Sequence, residues 1–554
     1  MSFRLAPVLA LFIFALGFPA LAFADPREAA VAALLQSWNA PDGPGAAVTV
    51  TLDGEIAATV AVGSANLEQA APVTPTTAFH VASVSKQFTA FAILLLEQGG
   101  RLSIDDPLTK HVPEAAAYGP VTLRQLMNQT GGVRDDGVLL AMAGWRNEDM
   151  STDEQALEML LRQRRGNFAP GAAYQYTNGG YGLLNEVVRR VSGRSLADFC
   201  RERMFIPLGM TRTRFHDDAS IIVSGRAESY RRSGDRYVRD ILTNAQTGAT
   251  GLVTTAEDLS RWARNFETPV VGGPVLFRRM EEQGVLNDGT VNIYAQGQEH
   301  RPYKGLDTWS HGGRDAGFRA FLLRIPGERF TVSVLSNAAD FDTAKVAFAA
   351  ADLYLSDRPA WRPAPEPAPT TPTPEQLADY AGTYEIFPGL FFKISTDGRR
   401  LLFAVGDEEP TTLPVLSATR FELNPRSDLS LEFPETPGAA RGLKYRLGLH
   451  GALDAPRVDL APFAPETVNL EDFTGRFYSA ELETEYVFRI EEGRLILRHP
   501  RLPAITLRPY QPDLFAGSDT NFGRFAFERN AAGRVTGFRL SGPVVEGVTF
   551  VRTP

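Results

Sequence analysis

The chain has 554 residues, of which 44% are hydrophobic and 22% are charged, and its formal net charge is −9 at pH 7. These values are typical of a globular protein, and they exclude wholesale disorder and a polytopic membrane protein. The negative charge also argues against a nucleic-acid partner. The chain is too long for one core, and at about 100–200 residues per domain we expect roughly three domains.

Residues 1–24 have the features of a secretory signal peptide. Arg4 provides the positive charge, Val8 to Phe18 form the apolar segment, and Ala22-Phe23-Ala24 form a small-residue cleavage site. A single transmembrane anchor is the alternative, but the apolar segment is short for a membrane span. We therefore expect a periplasmic or secreted protein that is soluble after cleavage and has no stable membrane span.

Cysteine and histidine content argues against a metal or redox centre. Cys200 is the only cysteine, so it cannot form an intramolecular disulfide, and we expect a buried, inert thiol. The seven histidines are scattered, without the H-E-x-x-H spacing of zinc hydrolases. We expect neither a metal nor another cofactor.

The first region alternates between strand and helix patterns. Residues Ala46 to Gly63 predict an antiparallel hairpin around Asp53-Gly54, and Val84 to Gln98 predict a helix that ends at Gly99. Phe321 to Leu335 predicts two strands. Further helices are expected at Leu123 to Met127, Leu157 to Arg164 and Gly182 to Val191. Strands at both ends around central helices predict an α/β (α+β) sandwich with a mostly antiparallel sheet.

A proline-rich stretch at 358–375 predicts an extended linker after a first domain at 25–357. Two similar segments follow it, Leu377 to Tyr384 and Leu470 to Phe477, 93 positions apart. This repeat predicts a duplicated module. Short alternating strands, including Tyr486 to Ile490, Leu495 to Arg498 and Phe525 to Glu528, predict two small antiparallel β-barrels at 376–467 and 468–554.

The tetrapeptide Ser83-Val84-Ser85-Lys86 is the first candidate for chemistry. On a helix, a three-residue step places the hydroxyl of Ser83 and the amine of Lys86 on one face. A lysine amine can activate a serine if its pKa is lowered. The ordinary reading is a capping serine with a solvated lysine, but no other charged residue interrupts Phe79 to Ala90.

Two later segments add polar groups among glycines. Tyr176 and Asn178 precede Gly179-Gly180, and His311 precedes Gly312 and Gly313 just before a predicted strand. The tyrosine could carry a proton to a leaving group, and the glycines would allow a substrate to lie against the strand edge. Taken singly, each segment is as well explained by a turn or a structural histidine.

The order S-x-x-K, Y-x-N and a glycine-rich third motif resembles the penicillin-recognising serine hydrolases, in the branch of class C β-lactamases, DD-carboxypeptidases and D-aminopeptidases. The likeness covers roughly Ala29 to Tyr354. It implies a β-lactamase/transpeptidase-like domain and an acyl-enzyme on Ser83. It also implies proton transfer by Lys86 and Tyr176, orientation of the substrate amide by Asn178, and an oxyanion held by the N–H groups of Ser83 and Arg314.

His311, Gly312 and Gly313 stand where β-lactamases of this family usually have lysine, threonine and glycine. This departure favours D-aminopeptidases, some DD-carboxypeptidases and esterases. We expect the charge of His311 to change with pH near neutrality. Arg314 and Arg319 could pair with a substrate carboxylate, although solvent-facing arginines are an equal alternative. Two lipocalin-like barrels after the catalytic domain are a further likeness to D-aminopeptidases.

The sequence therefore predicts an exported serine hydrolase acting on small peptide, ester or β-lactam substrates, with D-amino-acid peptides favoured. An esterase or a weak class C-like β-lactamase is the alternative on the same residues. A non-catalytic cell-wall or peptide-binding protein is the alternative of another class. The sequence leaves open whether the protein forms a homo-oligomer.

Overall fold

The computed structural model describes residues 26–362, 370–406, 408–424, 429–435, 441–447 and 452–554. The predicted signal peptide at 1–24 and residues 363–369 of the predicted linker lie outside these ranges. Across the described ranges, no helix is long and apolar enough to cross a membrane. Cys200 is a buried free thiol, as expected.

The first region combines helices with a mostly antiparallel set of strands. Its helices are α1 (Pro26–Leu34), α2 (Ser85–Gln98), α3 (Leu123–Met127), α4 (Asp136–Met142), α5 (Asp153–Leu161), α6 (Gly179–Ser192), α7 (Leu196–Cys200), α8 (Ala256–Glu267), α9 (Pro274–Met280) and α10 (Thr343–Leu355). Its strands are β1 (Ala46–Leu52), β2 (Glu55–Val62), β3 (Ser64–Asn66), β4 (Ala71–Pro72), β5 (Phe79–His80), β6 (Ser151–Thr152), β7 (Arg214–Phe215), β8 (Tyr230–Ser233), β9 (Arg236–Arg239), β10 (Asn244–Ala245), β11 (Leu252–Thr254), β12 (Glu299–Tyr303), β13 (Leu306–Asp315), β14 (Phe318–Ile325) and β15 (Phe330–Ser336).

The main sheet takes strands from both ends of this region. Its order is β12-β13-β14-β15-β1-β2, and Ala46 of β1 lies opposite Ser336 of β15. Apolar residues of α1 and α10, such as Val31 and Ala347, form one buried cluster with the sheet. The other large cluster contains α2 and α8, with Phe88 and Trp262 among its members. The predicted fold class, with helices packed around an antiparallel sheet, is confirmed.

Local signals explain most of the elements. The β1–β2 turn places Asp53 and Gly54 at positive φ, as a tight hairpin of this handedness requires. The predicted helix at Leu123–Met127 is confirmed. The helix expected at Leu157 to Arg164 instead spans Asp153–Leu161. It starts earlier because Thr152 and Gln155 form a capping box.

The C-terminal part consists almost entirely of antiparallel strands, with one helix, α11 (Pro374–Tyr380), in front of them. The first module contains β16 (Gly382–Phe387), β17 (Leu390–Thr396), β18 (Leu401–Val405), β19 (Thr411–Thr412), β20 (Arg420–Asn424), β21 (Leu429–Glu432), β22 (Gly442–Leu447) and β23 (Ala452–Val458). The second contains β24 (Gly475–Ser479), β25 (Thr484–Glu491), β26 (Arg494–His499), β27 (Leu502–Gln511), β28 (Leu514–Gly517), β29 (Arg524–Arg529), β30 (Val535–Gly542) and β31 (Val545–Thr553).

The two modules differ in how their strands pair. The first forms an eight-stranded sheet in the order β19-β18-β17-β16-β23-β22-β21-β20, and the second forms a closed barrel from β24 to β31. Phenylalanines fill the barrel, where Phe488 meets Phe527 and Phe538 edge to face. Both repeated segments lead into the first strand of their module. The domain boundaries drawn from the sequence remain predictions.

Candidate active site

Ser83 lies on a short 3₁₀ helix, Ala82–Val84, that leads directly into α2. Ala82 has φ of +46°, a left-handed conformation that is strained for alanine. The hydroxyl of Ser85 stabilises this turn, since it donates to the Ala82 carbonyl at 2.5 Å and accepts from the Leu252 amide at 3.1 Å. The turn therefore presents the Ser83 side chain at the N-terminal end of a buried helix.

Lys86 is fully buried, and its amine lies 3.1 Å from the Ser83 hydroxyl. The same nitrogen donates to Oδ1 of Asn178 at 2.8 Å and to the Ala249 carbonyl at 2.9 Å. Burial lowers the pKa of Lys86 to about 7, although nearby carboxylates, with Asp135 the strongest, oppose the shift. A large fraction of this lysine is therefore neutral near neutral pH.

The three partners of Lys86 can serve both of its protonation states. An amide oxygen and a backbone carbonyl can only accept hydrogen bonds, whereas a serine hydroxyl can also donate one. The ammonium form donates to all three; in the neutral form, two N–H groups can satisfy Asn178 and Ala249, and the lone pair can accept from the Ser83 hydroxyl. This arrangement allows Lys86 to take the hydroxyl proton.

The phenol of Tyr176 is the second group at Ser83. Burial raises its pKa well above the ordinary value, and a side-chain hydrogen bond with Ser83 opposes that rise. The Lys86 nitrogen lies 4.8 Å from the centre of the Tyr176 ring. The phenol therefore stays neutral and can pass a proton, rather than act as a tyrosinate base.

Asn178 is held in place through both its side chain and its backbone. Its side chain accepts from Lys86, and its backbone N–H donates to Oδ2 of Asp135 at 2.8 Å. The other carboxylate oxygen of Asp135 accepts from the Val138 amide at 3.1 Å and caps α4. Asp135 thus connects the start of α4 to the loop that carries Tyr176 and Asn178.

His311 is buried on β13, and its environment corrects one expectation. Nε2 lies 2.8 Å from the hydroxyl of Tyr294, and Nδ1 lies 2.6 Å from the Gly312 carbonyl. Burial, with a smaller contribution from the charge of Lys86, lowers the pKa of His311 to about 3. The prediction that its charge changes near neutrality was wrong, because desolvation disfavours the imidazolium.

The glycines beside His311 allow β13 to approach Ser83. A Cβ atom on Gly313 would lie 2.0 Å from the Val81 carbonyl, so a side chain has no room there. The pairing between β12 and β13 ends at Ser310, which lies opposite Glu299, so it stops just before His311. The following residues of β13 therefore present a strand edge next to the serine, which suits an extended substrate.

Ser83, Asn178 and Arg314 line two cavities in common. The cavity on the α4 side measures about 500 Å³ and also contains Asp136. The cavity on the β13 side measures about 580 Å³ and also contains Tyr176, Glu299, His311, Gly312, Gly313 and Arg319. Eight of the nine residues predicted from the sequence line these two cavities, and the ninth, Lys86, contacts Ser83 directly.

The two arginines differ in their surroundings. Arg314 is exposed at the junction of the two cavities. Arg319 is half-buried, and its guanidinium donates to the carbonyls of Ala316 at 2.9 Å and Phe318 at 2.6 Å. Burial lowers the pKa of Arg319 to about 10. Arg314 is therefore better placed than Arg319 to meet a substrate anion.

Sequence reasoning missed Asp135, Asp136, Tyr294 and the Ala249 carbonyl. The adjacent acids at 135 and 136 follow Arg134 in a stretch of small and apolar residues, so this charged triplet was an available signal. No motif indicated Tyr294 or the backbone oxygen of Ala249. Their contacts with His311 and Lys86 join positions 17 and 163 residues apart.

Comparison with known proteins extends these observations. The family model described as Beta-lactamase matches residues 29–355. A protein named D-aminopeptidase from Gluconobacter oxydans is 29% identical over 79% of this chain and 80% of its own. Another of that name, from Brucella melitensis, is 27% identical over 95% of this chain and 98% of its own. The octameric penicillin-binding protein homologue from Pyrococcus abyssi has a TM-score of 0.54 at 21% identity, covering 86% of this chain and 98% of that one.

Proposed function

Since the chain belongs to the beta-lactamase family of serine hydrolases, we propose that it is a D-aminopeptidase-type enzyme, which removes an N-terminal D-amino acid from a short peptide or amide. The observation that carries this proposal is the contact of the buried Lys86 amine with Ser83, Asn178 and Ala249. The relatives named D-aminopeptidase supply the substrate class, and the two described above match 79% and 95% of this chain.

In the acylation step, Oγ of Ser83 attacks the substrate carbonyl carbon while its proton moves to the neutral Lys86 amine. The carbonyl oxygen becomes an oxyanion, for which we assign the backbone N–H groups of Ser83 and Arg314. Collapse of this intermediate breaks the C–N bond. The departing amine takes a proton by way of the Tyr176 phenol, which leaves an ester on Ser83.

Deacylation reverses the roles. A water molecule gives its proton to the neutral Lys86 amine and attacks the ester carbonyl, and Lys86 returns a proton to Oγ of Ser83 as the ester bond breaks. Asn178 keeps the Lys86 nitrogen aligned through both steps, because it accepts one of the two N–H bonds. Every step uses groups that lie around the same serine.

The third motif supports a peptidase over a β-lactamase. A neutral His311 that bonds to Tyr294 offers no fixed positive charge where a lysine would offer one. The carboxylate that β-lactams carry would therefore meet no charge at His311, and the arginines on this side are Arg314 and Arg319. A substrate without a carboxylate next to the scissile bond therefore fits the β13 side of the site better.

Two further properties belong to the proposal. Export follows from the signal-like segment at 1–24, and N-terminal sequencing of the protein from a periplasmic extract would test it. Assembly into a homo-oligomer follows from the octameric homologue of similar fold, and light scattering of the purified protein would test it.

Intact mass spectrometry tests the central claim. We expect one fluorophosphonate adduct on the wild-type protein and none on Ser83→Ala, together with turnover of D-alanine p-nitroanilide by the wild type alone. Turnover of p-nitrophenyl acetate but not of the anilide would replace the peptidase with an esterase. Turnover of nitrocefin as the fastest substrate would replace it with a β-lactamase.

A further inference from the structure

Asp136 is a buried carboxylate beside the candidate nucleophile that the mechanism does not use. Its side chain is 4% exposed, and its Oδ1 atom has no hydrogen-bond partner among the described residues. Burying a carboxylate without a partner costs several kcal/mol. A group that is retained at such a cost next to a reactive serine requires an explanation.

The neighbouring acids are already paired. Four carboxylates line the α4-side cavity, those of Asp136, Asp149, Asp240 and Asp315. Asp149 lies 2.6 Å from Arg501, Asp315 lies 3.0 Å from His80, and Asp240 lies 3.7 Å from Arg231. Asp136 alone among the four has no basic partner in the part of the chain that the structure describes.

The position of Asp136 separates it from the proton-transfer groups. It lines the α4-side cavity with Ser83, whereas Tyr176 and His311 line the β13-side cavity. A substrate whose carbonyl carbon lies at Ser83 can therefore extend from it in two directions. We assign the leaving amine to the side with Tyr176, which supplies its proton, and the acyl residue to the side with Asp136.

We propose that Asp136 binds the free ammonium group of the acyl residue and so restricts the enzyme to substrates with an unblocked amino terminus. This inference rests on the proposed aminopeptidase function, which by itself assigns no residue to the amine. The ammonium supplies both the positive charge and the hydrogen-bond donors that the carboxylate lacks.

The electrostatics of the site agree with this role. Burial raises the pKa of Asp136 to about 7, Asp135 adds to the rise, and Lys86 opposes it. A bound cation would favour the ionised carboxylate. The charged groups that act on it are Asp135, Lys86 and Asp153. Binding of an ammonium thus stabilises a group that is poorly satisfied when the cavity holds only water.

Binding to the Ser83→Ala protein tests the site without turnover. We expect calorimetry at pH 8 to show that D-alaninamide binds at least tenfold more tightly than propionamide, which lacks only the amine. In Ser83→Ala/Asp136→Asn that preference should disappear, and in Ser83→Ala/Asp136→Glu part of it should return. A preference that survives in the asparagine variant overturns the proposal, as does a failure of D-alaninamide to bind at tens of millimolar.

Separate control variants test whether an effect of Asp136→Asn comes from the loss of any negative charge or from damage to the fold. Glu154→Gln removes an exposed carboxylate that faces a neighbouring cavity, and it should leave the preference intact. Asp136→Asn should unfold within a few degrees of the wild-type melting temperature. A large loss of thermal stability in Asp136→Asn that Asp136→Glu does not restore would assign Asp136 a structural role and overturn the site.

Hydrolysis distinguishes this inference from the proposed function. Asp136-dependent binding without turnover of D-alanine p-nitroanilide would uphold the ammonium site and overturn the aminopeptidase. The opposite result is also possible: wild type and Asp136→Asn could both hydrolyse the anilide and prefer it to its N-acetyl derivative by the same factor. That result would uphold the aminopeptidase and overturn the ammonium site. We expect a loss of at least 100-fold in kcat/KM for the free-amine substrate in Asp136→Asn, and no loss in Glu154→Gln.

Discussion

Arg134 and Glu481 form a buried ion pair between the first region and the closed barrel, with Nη1 and Oε2 2.6 Å apart and exposed fractions of 0% and 2%. Arg134 also donates to Gln163 and to the Glu546 carbonyl. The following residue, Asp135, donates from its amide to the Val544 carbonyl at 3.3 Å. The barrel therefore contacts Arg134 and Asp135, directly before and within the pair of acids, Asp135 and Asp136, that lies near Lys86.

Replacing Glu481 with glutamine should lower the free energy of unfolding and slow the hydrolysis reaction. The change leaves the Arg134 charge buried without its counterion, and breaking such a pair costs about 3–5 kcal/mol. We expect a lower denaturation midpoint in urea and a reduced kcat, since Asp135 would lose its support. Glu485→Gln, which removes an exposed partner of Arg476, should change the free energy of unfolding by less than about 1 kcal/mol. Equal effects of the two changes would contradict the coupling.

The rate of acylation should rise with pH through about 7. The reactive form of Lys86 is the neutral amine, and burial lowers its pKa to about 7, so protonation below that value removes the base. We expect kcat/KM for p-nitrophenyl acetate to fall about tenfold per pH unit below the midpoint and to level off above it. Lys86→Arg should be inactive across the range, since a guanidinium stays protonated.

The midpoint of this profile should respond to Asp136. Its carboxylate is one of the groups that raise the pKa of Lys86. Asp136→Asn should therefore shift the midpoint for p-nitrophenyl acetate to lower pH. A shift to higher pH would show that Lys86 is not the titrating group. The neutral ester is the appropriate substrate because it carries no amine for Asp136 to bind.

Tyr176→Phe should slow amide hydrolysis more than ester hydrolysis. An amide leaving group must be protonated as it departs, and the phenol is the group at Ser83 that can supply a proton on the β13 side. We expect a loss of about 10²–10⁴-fold in kcat for the anilide. Tyr174→Phe, at a neighbouring tyrosine whose ring lies 6.2 Å from Tyr294, is the matched control. A loss below about tenfold would remove Tyr176 from proton transfer.

His311→Gln should leave the shape of the pH profile above pH 5 unchanged. The pKa of the imidazole is lowered to about 3, so it is already neutral in this range and contributes no titration. Glutamine retains a polar partner for Tyr294, whereas His311→Leu removes one partner of that buried hydroxyl, which also has a side-chain hydrogen bond with Tyr181, and should cost about 1 kcal/mol in stability. A second titration near pH 6.5 that is present only in the wild type would contradict this assignment.

Much of the candidate site could be predicted from sequence because its signals are local. Ser83 and Lys86 are one helical turn apart, so their proximity follows from helix geometry alone. The glycines after Asn178 and His311 indicate close backbone approach in any fold. The hairpin at Asp53-Gly54 and the alternating strands of the barrel follow from turn chemistry and side-chain alternation in the same way.

The charge states and the partners of these residues depended on the tertiary structure. The neutrality of His311 and the lowered pKa of Lys86 arise from desolvation, which depends on what packs around a side chain and not on its neighbours in the chain. The contacts of Lys86 with Ala249 and of Arg134 with Glu481 join residues 163 and 347 positions apart. The sequence alone determined which groups could react. Folding decided which of them are neutral, which are paired, and that Oδ1 of Asp136, near the serine, has no hydrogen-bond partner within the described part of the chain.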